Sequence, residues 1–547
     1  MSAPSWTKGS LLALGLLTIA YLVPGVLGHE PWKPDEPYTF GVVRTMLASH
    51  DWLVPRVSGL PFVEKPPLYY WVAALFTTAL SPWLAPHDAA RLATTFFVAA
   101  SLLATAAAAR LCWGSGAGAI AVLLFLGTLG LEGHAQRMQV DHALMAGFAL
   151  AVLGFAGFSQ RRAWSGVVLG LAIGVGFLAK GLLAPGAIGL AAVLLPMFFR
   201  EWRGGGYERQ LAYAVLVAVP AMLPWPALLW LRDPLLFHEW FWENNVGRFA
   251  GFSIGKLGGT SEPGFWPQTL PWFLFPLWIF ALGSLRREGR NAGRQPGMQI
   301  GITLTLVVGL VLLTSASGRA IYALPLLPPL VLMSISSART PEANLAGALR
   351  ITSIAIGALA TVFLWGVWAA VLATHRVPEW TRLHEHLPVP FDMPLDPWAV
   401  GSAGALTAGF VLLVALRTRL PRPALMLWVG AVALSWGLAM TLLLPWLDAS
   451  KAYREVFGDA ARHLPPGTRC VVLYGLGESE RAMVDYYMHV TPRTAGVRED
   501  ECQAALWMGS SNTLHHYPDA RVWRRIWSGS RPGEVWERFE LFARAAK

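Results

Sequence analysis

The sequence predicts an α-helical integral membrane protein with about thirteen spans, followed by a small water-facing α/β domain. Composition is the first observation: 54% of the 547 residues are hydrophobic and only 14% are charged, where soluble chains carry about 25% charged residues. Mean hydropathy is the second: at +0.46, with 26 Trp and 26 Phe, the chain solvates itself in lipid rather than in water. Charge distribution is the third. Residues 451–547 hold 26 of the charged side chains, about 27% of that stretch against about 11% of the rest. Residues 1–447 therefore read as a multi-span membrane domain and 448–547 as a soluble α/β domain.

The first apolar run, residues 10–27, follows Lys8 with no acidic residue before it. Val26-Leu27-Gly28 makes a poor cleavage site, so the run reads as an uncleaved first helix with a cytoplasmic N-terminus. Further apolar segments lie near 66–85, 92–110, 115–131, 142–158, 165–180, 182–199, 211–231, 270–285, 299–316, 320–337, 350–373, 397–415 and 424–446. Arginines sort the loops between them by side. Arg161-Arg162, Arg200 with Arg203 and Arg209, the four from Arg286 to Arg294, Arg339 with Arg350, and Arg417 with Arg419 and Arg422 read as cytoplasmic. Loops 28–65 and 232–269, the turns at Lys180 and Arg319, loop 374–396 and the tail then fall outside. Between loop 28–65 and Arg161 lie four candidates where parity needs an odd number. Segment 66–85, opened by Pro66-Pro67 and broken by Pro82 and Pro86, is expected to be the one that does not span; if it crosses, one of its three neighbours does not. Within loop 28–65, Phe40, Val43, Met46 and Leu47 recur at helical spacing. That spacing predicts a helix over 37–48 lying along the membrane surface.

The net charge of +10 is topology signal in such a chain, and nucleic-acid binding is excluded as its explanation. Cys112 sits in an apolar stretch, while Cys470 and Cys502 in the tail are available for one disulfide in an exported domain.

Charges outside the cytoplasmic loops carry the functional information. Lys33-Pro34-Asp35-Glu36-Pro37 follows the first span, and Glu64-Lys65-Pro66-Pro67 closes the same outer loop. Arg137 and Asp141 flank the outer end of segment 142–158, Lys180 marks an outer turn, Arg248 lies in loop 232–269, and Arg319 precedes Tyr322. Alone, each reads as a snorkelling interface residue, or, for Asp35-Glu36, as a solvated cap for the surface helix. Together they place cations beside carboxylates at one membrane face, which suits a phosphate or pyrophosphate.

In order, the acidic pair after the first span, Glu64-Lys65-Pro66-Pro67, Arg137-Met-x-x-Asp141, Gly176-Phe-Leu-Ala-Lys-Gly181, the Trp-rich loop ending Gly247-Arg248-Phe249, and Tyr322-x-Leu-Pro325 resemble the polyprenyl-phosphate sugar transferases of the GT-C fold, in the branch of lipid A aminoarabinose transferases. The resemblance runs from about residue 10 to 340. It implies thirteen spans, a periplasmic C-terminal domain, and inverting transfer of a sugar, 4-amino-4-deoxy-L-arabinose, from undecaprenyl phosphate to lipid A phosphates. Such transfer lowers outer-surface negative charge and confers polymyxin resistance. It further implies a catalytic Asp35 with Glu64 beside it, a donor-phosphate ligand in Lys65, and phosphate-site contacts in Lys180, Arg248 and Tyr322; the one-sided charge set adds Arg137, Asp141 and Arg319 as expected substrate contacts. No cofactor is required; a divalent cation, if one is used, would fall to Asp35 and Glu64. The expected setting is the bacterial inner membrane, with the active site periplasmic, membrane lipids as surroundings and the chain monomeric. Where relatives often carry histidine this chain has Asn245, and Tyr38 stands where a basic residue often follows the acidic pair.

Other readings keep the fold and change the sugar, or use a protein or glycan hydroxyl acceptor. A secondary transporter is a different class, but no internal repeat is present and the charges gather at one face rather than at the midplane. A structural scaffold leaves the one-sided cation set unexplained. In the tail, runs at 471–474, 504–508, 521–523 and 539–542 read as strands and 478–487 as a helix. Tyr474-Gly475-Leu476-Gly477-Glu478 reads as a structural turn, and His515-His516 as a surface loop without metal partners.

Overall fold

Runs of Ala, Leu, Val and Gly long enough to bury every backbone group in helices set the architecture. The computed structural model describes residues 6–253, 255, 262, 264–377, 383, 387, 390–496, 499–509, 517–532 and 534–545; His515-His516 lie outside them. Among the described residues eight helices are long and apolar enough to cross a bilayer, and the pair Phe265–Phe273 and Leu277–Arg294, bent by 84°, makes a ninth if it is one span. Shorter apolar helices occupy Lys8–Leu22, Leu68–Leu80, Ala117–Leu126, Ser165–Lys180 and Leu183–Phe198. Leu68–Leu80 has 13 residues, about 20 Å at 1.5 Å per residue, short of a hydrocarbon core about 30 Å thick. Ala117–Leu126, with 10 residues, is shorter still.

The loop expected between 232 and 269 is helical in its first half: Pro234–His238 continues into a π-helix, Glu239–Gly247, and a turn at Arg248–Ala250. The surface helix is present as Asp35–Ser49, but it does not lie uncovered on the membrane. Thr39, Phe40, Val42, Val43 and Met46 are all buried, and the helix Glu478–Tyr487 packs across it.

The C-terminal part forms a five-stranded sheet in the order Thr491–Thr494, Cys470–Tyr474, Ala504–Gly509, Glu534–Arg544, Trp523–Arg531. The first three strands are parallel and the last two antiparallel to their neighbours. Cys470 and Cys502 are disulfide-bonded, with Cα atoms 5.2 Å apart. The strand expected at 521–523 starts two residues later and runs to Arg531.

Polar contacts weld this sheet domain to the outer loops. Lys33 pairs with Glu480 at 3.0 Å and with Glu537; Ser479 Oγ donates to the Pro34 carbonyl at 2.7 Å; Arg44 pairs with Asp485 at 3.2 Å. Beneath them, fully buried Arg91 donates to Glu36 Oε1 at 2.9 Å, to Asp88 Oδ1 at 2.6 Å and to the carbonyl of Val26 at 2.9 Å. Glu36 also accepts from the Trp32 and Met138 amides, each at 2.9 Å. Removing one partner of such a buried pair strands a charge, which costs about 3–5 kcal/mol.

Close approach of the two helices rests on Gly41, where an added Cβ would sit 2.6 Å from that of Ala482. Gly41→Ala improves helix propensity by about 1 kcal/mol, yet it is expected to lower the melting temperature in detergent, and Gly41→Ala with Ala482→Gly to recover it. Equal stability of the single and double variants contradicts the contact.

Candidate active site

Two helix ends meet first. Asp141–Ser159 and Ser165–Lys180 pack antiparallel and close, since a Cβ on Gly147 would sit 3.0 Å from Gly176. The first residue of one therefore lies beside the last of the other. Lys180 Nζ pairs with Asp141 and stands 3.5 Å from the centroid of the Tyr322 ring, a cation–π contact.

A second ion cluster comes from the outer loops. Lys65 Nζ is 2.8 Å from Glu64 Oε1, and Arg248 pairs with the same oxygen. Arg248 follows the π-helix, a geometry frequent at functional sites. The Asn244 and Asn245 amides close its wide turns by donating to the Glu239 and Trp240 carbonyls at 3.2 and 2.9 Å. Asn245 Oδ1 also accepts from the Leu182 amide at 3.2 Å, tying this segment to the turn after Lys180. Gly181 permits the contact: its φ is +72° and a Cβ there would fall 1.9 Å from Asn245 Oδ1.

Asp35 opens the helix Asp35–Ser49 and is buried. Its Oδ2 accepts from Arg319 at 2.5 Å and from Gln139 at 2.8 Å, and its Oδ1 accepts from Tyr38 at 2.8 Å. Burial opposes ionisation, but the Arg319 hydrogen bond and charge, with Tyr38 and Gln139, hold the carboxyl below its usual range. Glu64 follows the same logic: against burial, Lys65 and Arg248 lower it to about 2. Burial alone would lower Lys65, yet Glu64, Tyr322 and Asp141 raise it. Lys65 thus feels both neighbouring clusters, and Arg319 feels Asp35, Tyr322 and Tyr38, which makes one continuous electrostatic set.

Eight of the nine residues singled out in the sequence join this set through an ion pair or a cation–π contact. Arg137 does so through charge alone: Glu36 and Asp35 both act on it, while its guanidinium lies 6.0 Å from the Trp32 ring centroid and its Nε lacks a partner. The sequence does not single out Gln139, although it lies between Arg137 and Asp141, and it marks Tyr38 only as a departure from the relatives, although Tyr38 is three residues after Asp35 on the same helix face.

Glu64, Lys65, Lys180, Arg248 and Tyr322 line a cavity of about 420 Å³, together with Asn244, Asn245, Ser315, Ser317 and a larger apolar set that includes Leu183, Leu190 and Val311. A larger cavity, about 1470 Å³, lies between the sheet domain and the outer ends of the last helices and contains none of the nine. Arginine and lysine donors occupy the Asp35 and Glu64 carboxylates, and among the described residues no three His, Cys, Asp or Glu side chains converge.

The family profile described as dolichyl-phosphate-mannose-protein mannosyltransferase matches residues 64–230. An undecaprenyl phosphate-alpha-4-amino-4-deoxy-L-arabinose arabinosyl transferase of Sodalis glossinidius is 31% identical over 412 residues, 69% of each chain. The chain belongs to this arabinosyl transferase family. A Pseudomonas aeruginosa (strain UCBPP-PA14) member is 30% identical over 59% of this chain and 58% of its own. In fold, the chain is similar to the crystal structure of ArnT from Cupriavidus metallidurans bound to undecaprenyl phosphate, with TM-score 0.73, 18% identity and 99% of each chain covered. The apo structure of that protein gives 0.71, at 19% identity over 97% of each chain. The chain is thus a multi-pass membrane glycosyltransferase of GT-C fold, and the converging ion pairs are its candidate active site.

Because Glu64 falls from an ordinary 4.5 to about 2, its ion pairs add stability that is complete above about pH 4.5 and lost as pH falls toward 2. Glu64→Gln is expected to flatten the loss of thermal stability between those values, followed by scanning fluorimetry in detergent. An unchanged acid limb contradicts the pairing.

Proposed function

We propose that this glycosyltransferase moves 4-amino-4-deoxy-L-arabinose from undecaprenyl phosphate to phosphate groups of lipid A, at the periplasmic face of the inner membrane, as a monomer. One observation carries the reading: three cations, Lys65, Lys180 and Arg248, share a largely apolar cavity, a lining suited to a phosphate on a long hydrocarbon chain. The names of the relatives supply the sugar and the carrier lipid.

In the reaction the bond from the sugar anomeric carbon to the donor phosphate oxygen breaks as the acceptor oxygen bonds from the opposite face, inverting the configuration. Undecaprenyl phosphate leaves with an added negative charge. Lys65, Lys180 and Arg248 stabilise that charge where it develops. Arg248 brings a two-pronged donor and the lysines point charges. The acceptor phosphate is already anionic, so no group need deprotonate it. Asp35, held ionised by Arg319, then acts through its charge: it stabilises the positive character that develops on the sugar ring and orients the incoming acceptor. A hydroxyl acceptor would require a base, and a carboxylate held below its usual range is a weak one.

Asp35→Asn keeps the size and the Tyr38 and Arg319 neighbours but removes the charge. In cells expressing the gene it is expected to lower pentosamine on lipid A phosphates, read by mass spectrometry, by about 100-fold or more, with unchanged protein level and elution from a sizing column. Near-normal modification by the variant sinks the role of Asp35. Wild-type cells lacking phosphate-linked pentosamine sink the substrate pair.

A further inference from the structure

Four acidic side chains act on the outer cation cluster, and three are committed. Asp35 binds Arg319, Glu64 binds Lys65 and Arg248, and Asp141 binds Lys180. The fourth, Glu478, comes from the C-terminal sheet domain, and its side chain makes no hydrogen bond or ion pair with any described residue.

Two anchors set its position. The next residue, Ser479, donates to the carbonyl of Pro34, directly before Asp35. Ser58, in the hairpin Arg56–Val57 and Leu60–Pro61 that leads to Glu64, donates to the Arg481 carbonyl at 3.2 Å. Residues 478–481 are thus bracketed between the chain entering Asp35 and the chain entering Glu64. Glu478 remains exposed in that bracket, and the charges of Glu64, Arg481, Lys65 and Arg248 all act on it. A first-turn acid also favours a helix through the dipole, but Glu480 already supplies one there, and it is satisfied by Lys33 and Tyr453.

The chemistry of the donor asks for such a group. An amino pentose carries an ammonium at neutral pH, and a site assembled from lysines and arginines to hold phosphate repels it. A carboxylate not already held in an ion pair offsets that repulsion most effectively. We infer that Glu478 forms an ammonium subsite, pairing with the amino group of the transferred sugar and so selecting an amino pentose over a neutral one. This rests on the donor reading given above. It gives the C-terminal domain a direct part in substrate choice.

The test compares two donors with purified full-length protein: undecaprenyl phosphate bearing the amino pentose, and the same lipid bearing the pentose with a hydroxyl in place of the amine. Glu478→Gln is expected to lower kcat/KM for the amino donor about tenfold or more, mainly through KM, as for loss of a charged hydrogen bond. The neutral donor stays within about twofold, and Glu478→Asp recovers part of the loss. Equal losses with both donors, or no loss with either, overturn the subsite while leaving the donor reading in place. Wild-type protein that turns over the neutral donor but not the amino donor overturns both.

Discussion

The ion pair between Asp35 and Arg319 joins residues 284 apart in sequence at 2.5 Å, and it states the constraint on which the outer half of the molecule depends. A charge taken out of water beside lipid persists only with a partner. Because partners come from distant segments, each pair is also a tertiary fastener. Arg248 with Glu64, Lys180 with Asp141, Arg91 with Glu36 and Arg454 with Glu30 bring the ends of separate helices to one face. The proposed reaction draws on the same pairs, since the cations that neutralise the carboxylates also line the largely apolar cavity.

The pairs divide into two layers. Arg91 spends its donors on Glu36, Asp88 and backbone carbonyls, and Glu36 accepts from a backbone amide as well. That layer holds the acidic segment in place. Asp35, one residue away, faces the other layer, where Lys65, Lys180 and Arg248 border open space. Adjacent carboxylates thus serve different ends because successive residues at a helix start point in different directions. The C-terminal domain seals the arrangement from above through Lys33, Ser479 and the Gly41–Ala482 contact.

Much of this was legible in the sequence. Scarce charge marked the membrane domain, and sorting it by side singled out eight of the residues that the fold gathers, because lipid makes every unneeded charge costly. What stayed hidden has physical causes. Gln139 and Tyr38 are neutral, and nothing in a sequence tells a hydrogen-bond donor to Asp35 from any other polar side chain. Arg137 carries the right charge but turns toward Trp32, a matter of loop geometry that spacing does not encode. The helix at Asp35–Ser49 showed its apolar stripe, yet its true cover, Glu478–Tyr487, lies more than 400 residues onward. Glu478 itself read as part of a turn, since its neighbours in space come from the other end of the chain.

A cryo-EM structure of the protein with undecaprenyl phosphate bound tests the central claim most directly. The account places the phosphate within hydrogen-bonding distance of Lys65 and Arg248, with the chain running along Leu183, Leu190 and Val311. A phosphate held elsewhere, as in the larger cavity beside Asp448 and Arg454, with Lys65 and Arg248 still bound only to Glu64, would contradict it.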